Sequence, residues 1–506
     1  LCTRNVTKGI RGKLNKEEAM NSLAKNVKNV MIIFLFCFIA LISYIAYFQV
    51  FKGPDIAADS GNRRLWAKRN EVIRGTIYDR DGNPIVTSAR IDEYNQSRDY
   101  AYGDLYVHAL GYIDERYGIT GLEEEFDEEL SKYNSFTNSF RSLLKDFDLK
   151  SAIENRNEEK VGNGIITTLD YDLQRIAYDA LGDRKGSVVA LNPKTGEILA
   201  MVSKPTYDPT NLEGAMEDAN SGEDTESRLL NRALYGIYPP GSVFKTVTLA
   251  AAIENDPAVT ARIFDDQGKI TFEDGIELNN FMKQAHGSLD LKTAYRVSSN
   301  VVFGTLAMEM GNDKLKEVAE RFGFNARIPG VGVSISQSTF PKLGEYELGN
   351  IAQSGIGQGS VAVTPMQMAI VAATVANDGV LMQPKLVNKV IDKDGNTIKE
   401  IENKALKSDV ISADITAIIK EYMSYLVSNN IYRWPYFDGT NAGGKTGTAD
   451  YMENGVEAIP HGWFISIAPV DDPKIAVAVI VENGESGAGS AADIASQVVR
   501  QAVLGN

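Results

Sequence analysis

Cysteine is nearly missing from this chain: of 506 residues two are cysteine, Cys2 and Cys37, both close to the N-terminus. The rest of the sequence therefore has no disulfide framework and no thiolate metal site. Histidine is almost as scarce, with His108, His286 and His461 only. A Ser-His-Asp triad would need one of these three, and no Gly-x-Ser-x-Gly elbow accompanies them. His461, in His-Gly-Trp-Phe beside a β-like run, is expected to pack or hydrogen-bond there.

Positive charge is also short, since 52 Lys and Arg against 67 Asp and Glu give a net charge of −15. Residues 1–28 carry seven basic residues and two Glu, net +5, so the remainder stands at −20. That balance argues against a nucleic-acid partner. Gly355-Ile356-Gly357-Gln358-Gly359 lacks the strand–loop–helix spacing of a dinucleotide fingerprint, and no Walker lysine follows it. Neither a nucleotide cofactor nor a metal is expected.

One apolar run is long. Asn29 to Phe51 is 23 residues without a charge, about 34 Å as a helix and enough to cross a hydrocarbon core of about 30 Å. It is too long for a cleaved signal peptide, so a retained anchor is expected. The positive-inside rule puts residues 1–28 in the cytoplasm and everything beyond the anchor outside the membrane.

Within the exported part, Tyr238-Pro-Pro-Gly-Ser242-Val-Phe-Lys245 is the most informative stretch. Positions i and i+3 share a helix face, so a helix starting at the Pro-Gly break, running from Ser242 to Asn255, sets the hydroxyl beside the amine. That arrangement activates a serine without histidine. Downstream stand Ser298-Ser299-Asn300 and Gly443-Gly444-Lys445-Thr446-Gly447-Thr448. The three elements in this order resemble the motif set shared by penicillin-binding proteins and class A β-lactamases. Other copies are decoys: Ser-x-x-Lys at Ser22 and Ser142, Ser-x-Asn at Ser60 and Ser428, and Lys194-Thr195-Gly196, which follows Asn192-Pro193 between two apolar runs and reads as a hairpin turn.

Such chemistry needs a nucleophile, a base, an oxyanion hole and a carboxylate anchor. Ser242 is the nucleophile and Lys245 the base. A lysine working as a base near neutral pH needs its charged form disfavoured by roughly 4 kcal/mol. A helix N-terminus supplies about 0.3–1 kcal/mol, so burial has to dominate.

Local patterns sketch the rest. Tyr171 to Leu181 is an amphipathic helix after Asp170; Thr364-Pro365 opens another, ending before Gly379; Glu213 to Glu226 reads as a solvated acidic loop. From Gly443 strands and turns alternate to Glu482, and a helix from Ser490 to Leu504 closes the chain. Gly443 and Gly444 are expected to let substrate approach the strand edge.

Together with Arg74-Gly-Thr-Ile-Tyr-Asp-Arg80, Gly121-Leu-Glu123 and Gly357-Gln-Gly-Ser followed by Thr364-Pro-Met-Gln-Met368, the three motifs resemble class B penicillin-binding proteins, from about residue 63 to the end. The resemblance implies an α+β fold: a cytoplasmic tail (1–28), an anchor (29–51), a mixed α/β dimerisation-like pedestal (52–162) and a transpeptidase domain (163–506). In the last, a mainly antiparallel five-stranded sheet is flanked by helices, with the site between the sheet and a helical lobe. It implies D,D-transpeptidase activity on D-Ala-D-Ala stem peptides of peptidoglycan and inhibition by β-lactams. Ser298 would relay a proton, and Asn300 would hold a substrate amide while touching Lys245. Lys445 would present charge to the substrate carboxylate, with Thr446, Gly447 and Thr448 binding substrate. The N–H groups of Ser242 and Thr448 would form the oxyanion hole. A D,D-carboxypeptidase, a β-lactamase and a non-catalytic scaffold of the wall-synthesis complex stay open. A polytopic glycosyltransferase of the shape, elongation, division and sporulation family is the implied membrane partner, bound through residues 29 to about 160.

Overall fold

The computed structural model describes residues 3–52, 66, 69–92, 95–132, 160–221, 226–273, 275–453 and 456–505; the decoys Ser60 and Ser142 lie outside them. The chain divides into two units, Leu1–Lys68 and Arg69–Asn506. The first carries helix α1 (Thr3–Tyr47) and a π-turn to Lys52. Its Lys25–Lys52 portion is long and apolar enough to cross a membrane.

The second unit holds two large sheets beside several two-stranded ribbons. The expected one is wholly antiparallel, with strands β5 (Gly186–Leu191), β6 (Ile198–Lys204), β9 (Gly443–Ala449), β10 (His461–Ala468) and β11 (Ile475–Val481) in the order β9-β10-β11-β5-β6. Strand residues alternate between faces, and here both faces are covered. Val188 and Ala190 of β5 join Leu173 and Val498 from helices α2 (Tyr171–Leu181) and α7 (Ala492–Leu504). Val189 and Leu191 join Met368 and Val371 from α6 (Pro365–Ala376). Two helices start where the sequence placed them. Asp170 accepts from Leu173 N at 3.1 Å to cap α2, and Thr364 accepts from Gln367 N at 3.0 Å ahead of Pro365. Lys194-Thr195-Gly196 is indeed the turn between β5 and β6, closed by Lys194 N donating to Asn192 Oδ1 at 3.0 Å.

The other sheet is a finding of the structure. It is six-stranded and mixed, built from β1 (Ile77–Tyr78), β2 (Pro84–Arg90), β3 (Gln96–Tyr100), β4 (Gly164–Thr167), β7 (Val387–Ile391) and β8 (Thr397–Glu400), in the order β8-β7-β4-β1-β2-β3. β1 and β4 run parallel, whereas the other pairs are antiparallel. Residues on both sides of position 163 thus share one hydrogen-bonded ladder. Buried within the pedestal, Glu123 accepts from Arg74 Nε at 2.6 Å and from Arg98 Nε at 2.9 Å. Burial opposes its ionisation, but Arg98 and Arg74 outweigh it and hold its carboxyl below the usual range. Arg74 and Glu123 of the two pedestal motifs are therefore one ion-paired cluster.

The acidic stretch after residue 212 is a correction. Leu212–Ser221 is helical, because Leu212, Ala215 and Met216 fall on one face and pack against Tyr207 and Tyr112. Its acidic residues occupy the other side, which is why charge alone suggested a loop.

Candidate active site

Two prolines and a glycine shape the turn that carries Ser242. Pro239 and Pro240 restrict the backbone, and Pro239 O accepts from Trp463 Nε1 of β10 at 3.0 Å. Gly241 then takes φ +55°, a left-handed conformation suited to glycine. A Cβ at Gly241 would lie 2.3 Å from Thr448 O of β9. On the opposite side a Cβ at Gly357, φ +76°, would lie 2.1 Å from Gly241 O, and Gly241 N donates to Gly357 O at 2.8 Å. The turn is wedged between the sheet edge and the glycine-rich loop. That loop, without phosphate chemistry in the sequence, has a packing purpose.

Gly241–Phe244 is a 3₁₀ turn leading into helix α3 (Lys245–Asn255). Gly241, Val243 and Phe244 are buried while Ser242 is half-exposed, so its hydroxyl borders the cleft. Lys245 begins the helix proper and is 0% exposed. No hydrogen bond joins Ser242 to Lys245 among the described residues, which departs from the direct pairing expected of this spacing. The amine instead donates to Ser298 O at 2.7 Å, to Asn300 Oδ1 at 2.7 Å and to Ser298 Oγ at 3.2 Å. Catalytic pairs commonly tighten only with substrate bound.

Ser298 separates α4 (Leu291–Val297) from α5 (Asn300–Met310) and has φ +61°, ψ +40°. A non-glycine residue in this region costs about 1–2 kcal/mol. The conformation is held by Ser298 N donating to Tyr295 O and Ser299 N to Ala294 O, and it turns both the carbonyl and the hydroxyl of Ser298 toward the lysines. Lys445 of β9, also 0% exposed, donates to the same Ser298 Oγ at 3.0 Å and to Thr446 O at 2.8 Å. One hydroxyl therefore bridges two buried amines.

Two ammonium ions cannot both persist there. Burial pushes Lys445 down to about 7. Lys245 is held well below the ordinary lysine value, first by burial and then by the Lys445 charge. A lysine held low in this way suits the role of proton acceptor. A neutral amine has two N–H bonds and one lone pair, and the two 2.7 Å bonds to Ser298 O and Asn300 Oδ1 use both hydrogens. The lone pair is left for a hydroxyl.

Along β9, an edge strand, Thr446 O meets the Lys445 amine and Thr448 O lies against Gly241. Alternate residues send their backbone groups to the same side, so Thr446 and Thr448 present N–H and C=O groups at the free edge. Ser242 N–H belongs to the opening turn of its helix, where leading N–H groups have no intrahelical acceptor. Gly447 is buried against Trp463 and Val243. The expected reason for the two preceding glycines does not hold. A Cβ at Gly443 would meet Met423 Cβ at 2.9 Å and one at Gly444 the Phe464 ring at 2.6 Å, so both serve packing. His461 does as expected, with Nδ1 accepting from Asn483 N at 3.2 Å and its ring stacked on Tyr451. Gly241 and Gly357 were not singled out for this contact by sequence; a proline pair followed by glycine was the available signal.

The chain is similar to known proteins over most of its length. Residues 186–501 match the model of the penicillin binding protein transpeptidase domain, and residues 74–151 that of the penicillin binding protein A dimerisation domain. The peptidoglycan D,D-transpeptidase PbpA of Mycolicibacterium smegmatis is 33% identical over 455 residues, covering 86% of this chain and 89% of that protein. A D,D-transpeptidase domain structure from Eggerthella lenta superposes with TM-score 0.74 at 32% identity, covering 85% of this chain and 98% of that one. The ceftriaxone acyl-enzyme complex of penicillin-binding protein A from M. tuberculosis gives TM-score 0.77 at 30% identity, covering 87% and 100%. With the motif order, the five-stranded sheet and these likenesses together, the chain belongs to the class B penicillin-binding proteins.

Proposed function

We propose that Ser242 is the nucleophile and Lys245 the base of this peptidoglycan D,D-transpeptidase. The observation that carries the assignment is the buried amine whose two N–H groups are engaged by Ser298 O and Asn300 Oδ1. Lys245 takes the Ser242 proton as Oγ attacks the penultimate D-Ala carbonyl of a stem peptide. The oxygen of the tetrahedral intermediate lies between the N–H groups of Ser242 and Thr448. Ser298, bridging Lys245 and Lys445, passes a proton to the departing amine, and terminal D-Ala leaves. The amine of a second stem peptide then attacks the ester, forming the cross-link and restoring Ser242. Asn300 also holds the donor peptide. Thr446 and Thr448 bind its carboxylate, and an arriving carboxylate favours the charged form of Lys445. β-Lactams enter the first half of this sequence and stop at the ester.

Peptide mapping by mass spectrometry after penicillin treatment of the full chain tests the assignment. A stable adduct on the Ser242 peptide is expected. An adduct elsewhere, at Ser22 for instance, would overturn it, and rapid release of hydrolysed penicillin would indicate a β-lactamase.

The chain is membrane-anchored through its N-terminal helix, and we place its basic tail in the cytoplasm with the catalytic unit outside, following the charge bias of residues 1–28. A polytopic glycosyltransferase of the shape, elongation, division and sporulation family is the proposed partner, since neither the span nor the pedestal contributes a group to the chemistry at Ser242. Because the pedestal shares a sheet with β4, β7 and β8, the clean exchange is residues 29–51 alone. Replacing them with an unrelated span should leave penicillin acylation intact and abolish co-purification with the polymerase; undiminished co-purification would refute a role for the span.

A further inference from the structure

Behind the Ser298–Asn300 turn lies a carboxylate that the mechanism above does not use. Asp266 ends the strand Ile263–Asp266, which pairs with Gly287–Asp290, and it is 0% exposed. It forms no ion pair among the described residues. Its Oδ1 accepts from Gly268 N at 2.9 Å and Asn280 Nδ2 at 2.8 Å. Its Oδ2 accepts from Asn280 Nδ2 at 2.9 Å and from Ser299 Oγ at 2.7 Å. Every neighbour of this carboxylate is a donor. A buried anion without a cation is costly unless hydrogen bonds satisfy it, and here they do.

Both residues it holds reach the catalytic turn. Asn280 Oδ1 accepts from Asn300 N at 2.7 Å and Val301 N at 3.1 Å, the leading N–H groups of α5. Ser299 Oγ accepts from Val302 N at 3.0 Å. Next to Asn280, Asn279 O accepts from Asn300 Nδ2 at 2.7 Å. That last bond fixes the Asn300 amide so that Oδ1, not the NH₂, faces Lys245.

We propose that Asp266 is a positioning residue for acylation: through Ser299 and Asn280 its carboxylate fixes the turn carrying Ser298 and Asn300, the two residues that hold the Lys245 amine. The proposal rests on the reading of Lys245 as that base. Asp266 is the one carboxylate that raises the proton affinity of Lys245, against burial and Lys445. Other titratable groups around this region are Tyr295 on α4, bonded to Thr246, and Glu277 and His286 on the flanking hairpins, Glu277 paired with Lys269.

Stopped-flow acylation of the full chain by a fluorescent penicillin, between about pH 5 and 9, tests this. Asp266→Asn keeps the shape but removes the charge and turns an NH₂ toward donors. The plateau rate should fall about 10- to 100-fold as the turn loosens, and the rising limb should move to lower pH, because a lysine without a facing carboxylate loses its proton more readily. Ser299→Ala breaks the link but keeps the charge, so the plateau should fall about tenfold with the limb in place. A folded Asp266→Asn variant with wild-type rates, or with a lowered plateau and an unmoved limb, would overturn the proposal. So would wild-type acylation by Ser299→Ala, which decides the matter if Asp266→Asn does not fold. Failure of the wild type to form an ester on Ser242 would instead count against the nucleophile assignment.

Discussion

Lys245→Arg is expected to acylate with penicillin about 10³- to 10⁴-fold more slowly than wild type, close to the background of Ser242→Ala. Charge is retained in this variant, and so is the capacity to donate to Ser298 O and Asn300 Oδ1. What disappears is the lone pair, because arginine does not give up its proton in a protein. The geometry makes the test sharp. Both hydrogens of a neutral lysine amine are taken up by the two 2.7 Å bonds, and in the longer third contact, 3.2 Å to Ser298 Oγ, the hydroxyl can be the donor. Lys445→Arg supplies the contrast. That position is asked to donate to Ser298 Oγ and Thr446 O and to carry charge, all of which arginine does. Its loss, about 10- to 100-fold, arises from fitting a larger head into a fully buried place. Stopped-flow acylation of the two variants side by side measures the difference; equal rates for Lys245→Arg and wild type would remove Lys245 as the base.

Gly241→Ala is expected to lower acylation by about 10²-fold or more through displacement of Ser242. The new Cβ would meet Thr448 O at 2.3 Å, and the carbonyl it collides with belongs to the residue whose N–H is assigned to the oxyanion. Relief requires the turn carrying Ser242 to back away from β9, which separates the two N–H groups assigned to the oxyanion. Left-handed strain adds about 1–2 kcal/mol of destabilisation. Gly357→Ala presses on the same carbonyl turn from the other side, 2.1 Å from Gly241 O, and should behave alike. Gly395 separates the two effects: with φ +82° and no atom within 4 Å of its Cβ position, its alanine variant should lose stability without losing acylation rate. Thermal melts and acylation rates for the three variants check this, and normal acylation by a folded Gly241→Ala would show that the wedge is not needed.

The candidate catalytic residues were legible in the sequence because each carries a side chain that few other purposes require at that spacing. Lys245, Ser298 and Lys445 lie far apart along the chain, and the structure brings them to one hydroxyl bridge. The hairpin reading of Lys194-Thr195-Gly196 held because Asn192 and Gly196 are local turn chemistry. Pairing over long distances left no such mark. β1 is two residues long and finds its partner in β4 88 residues later, so neither alternation nor propensity could signal it. Gly443 and Gly444 show another limit: glycine announces a close approach but not by what, and Met423 and Phe464 come from distant segments. For Asp266, an Asp-Asp-Gln-Gly turn gave no sign that its carboxylate faces a catalytic helix.

The six-stranded sheet also has a consequence for how the protein is made. β7 begins 220 residues after β4 ends, which at about 5–20 residues per second is on the order of 10–40 s of synthesis. Throughout that interval the edge of β4 that β7 will cover is without its partner, a row of open backbone groups able to recruit any extended chain nearby. The module made first is closed by a segment made much later, and a chain that ends before Val387 leaves that edge of β4 open.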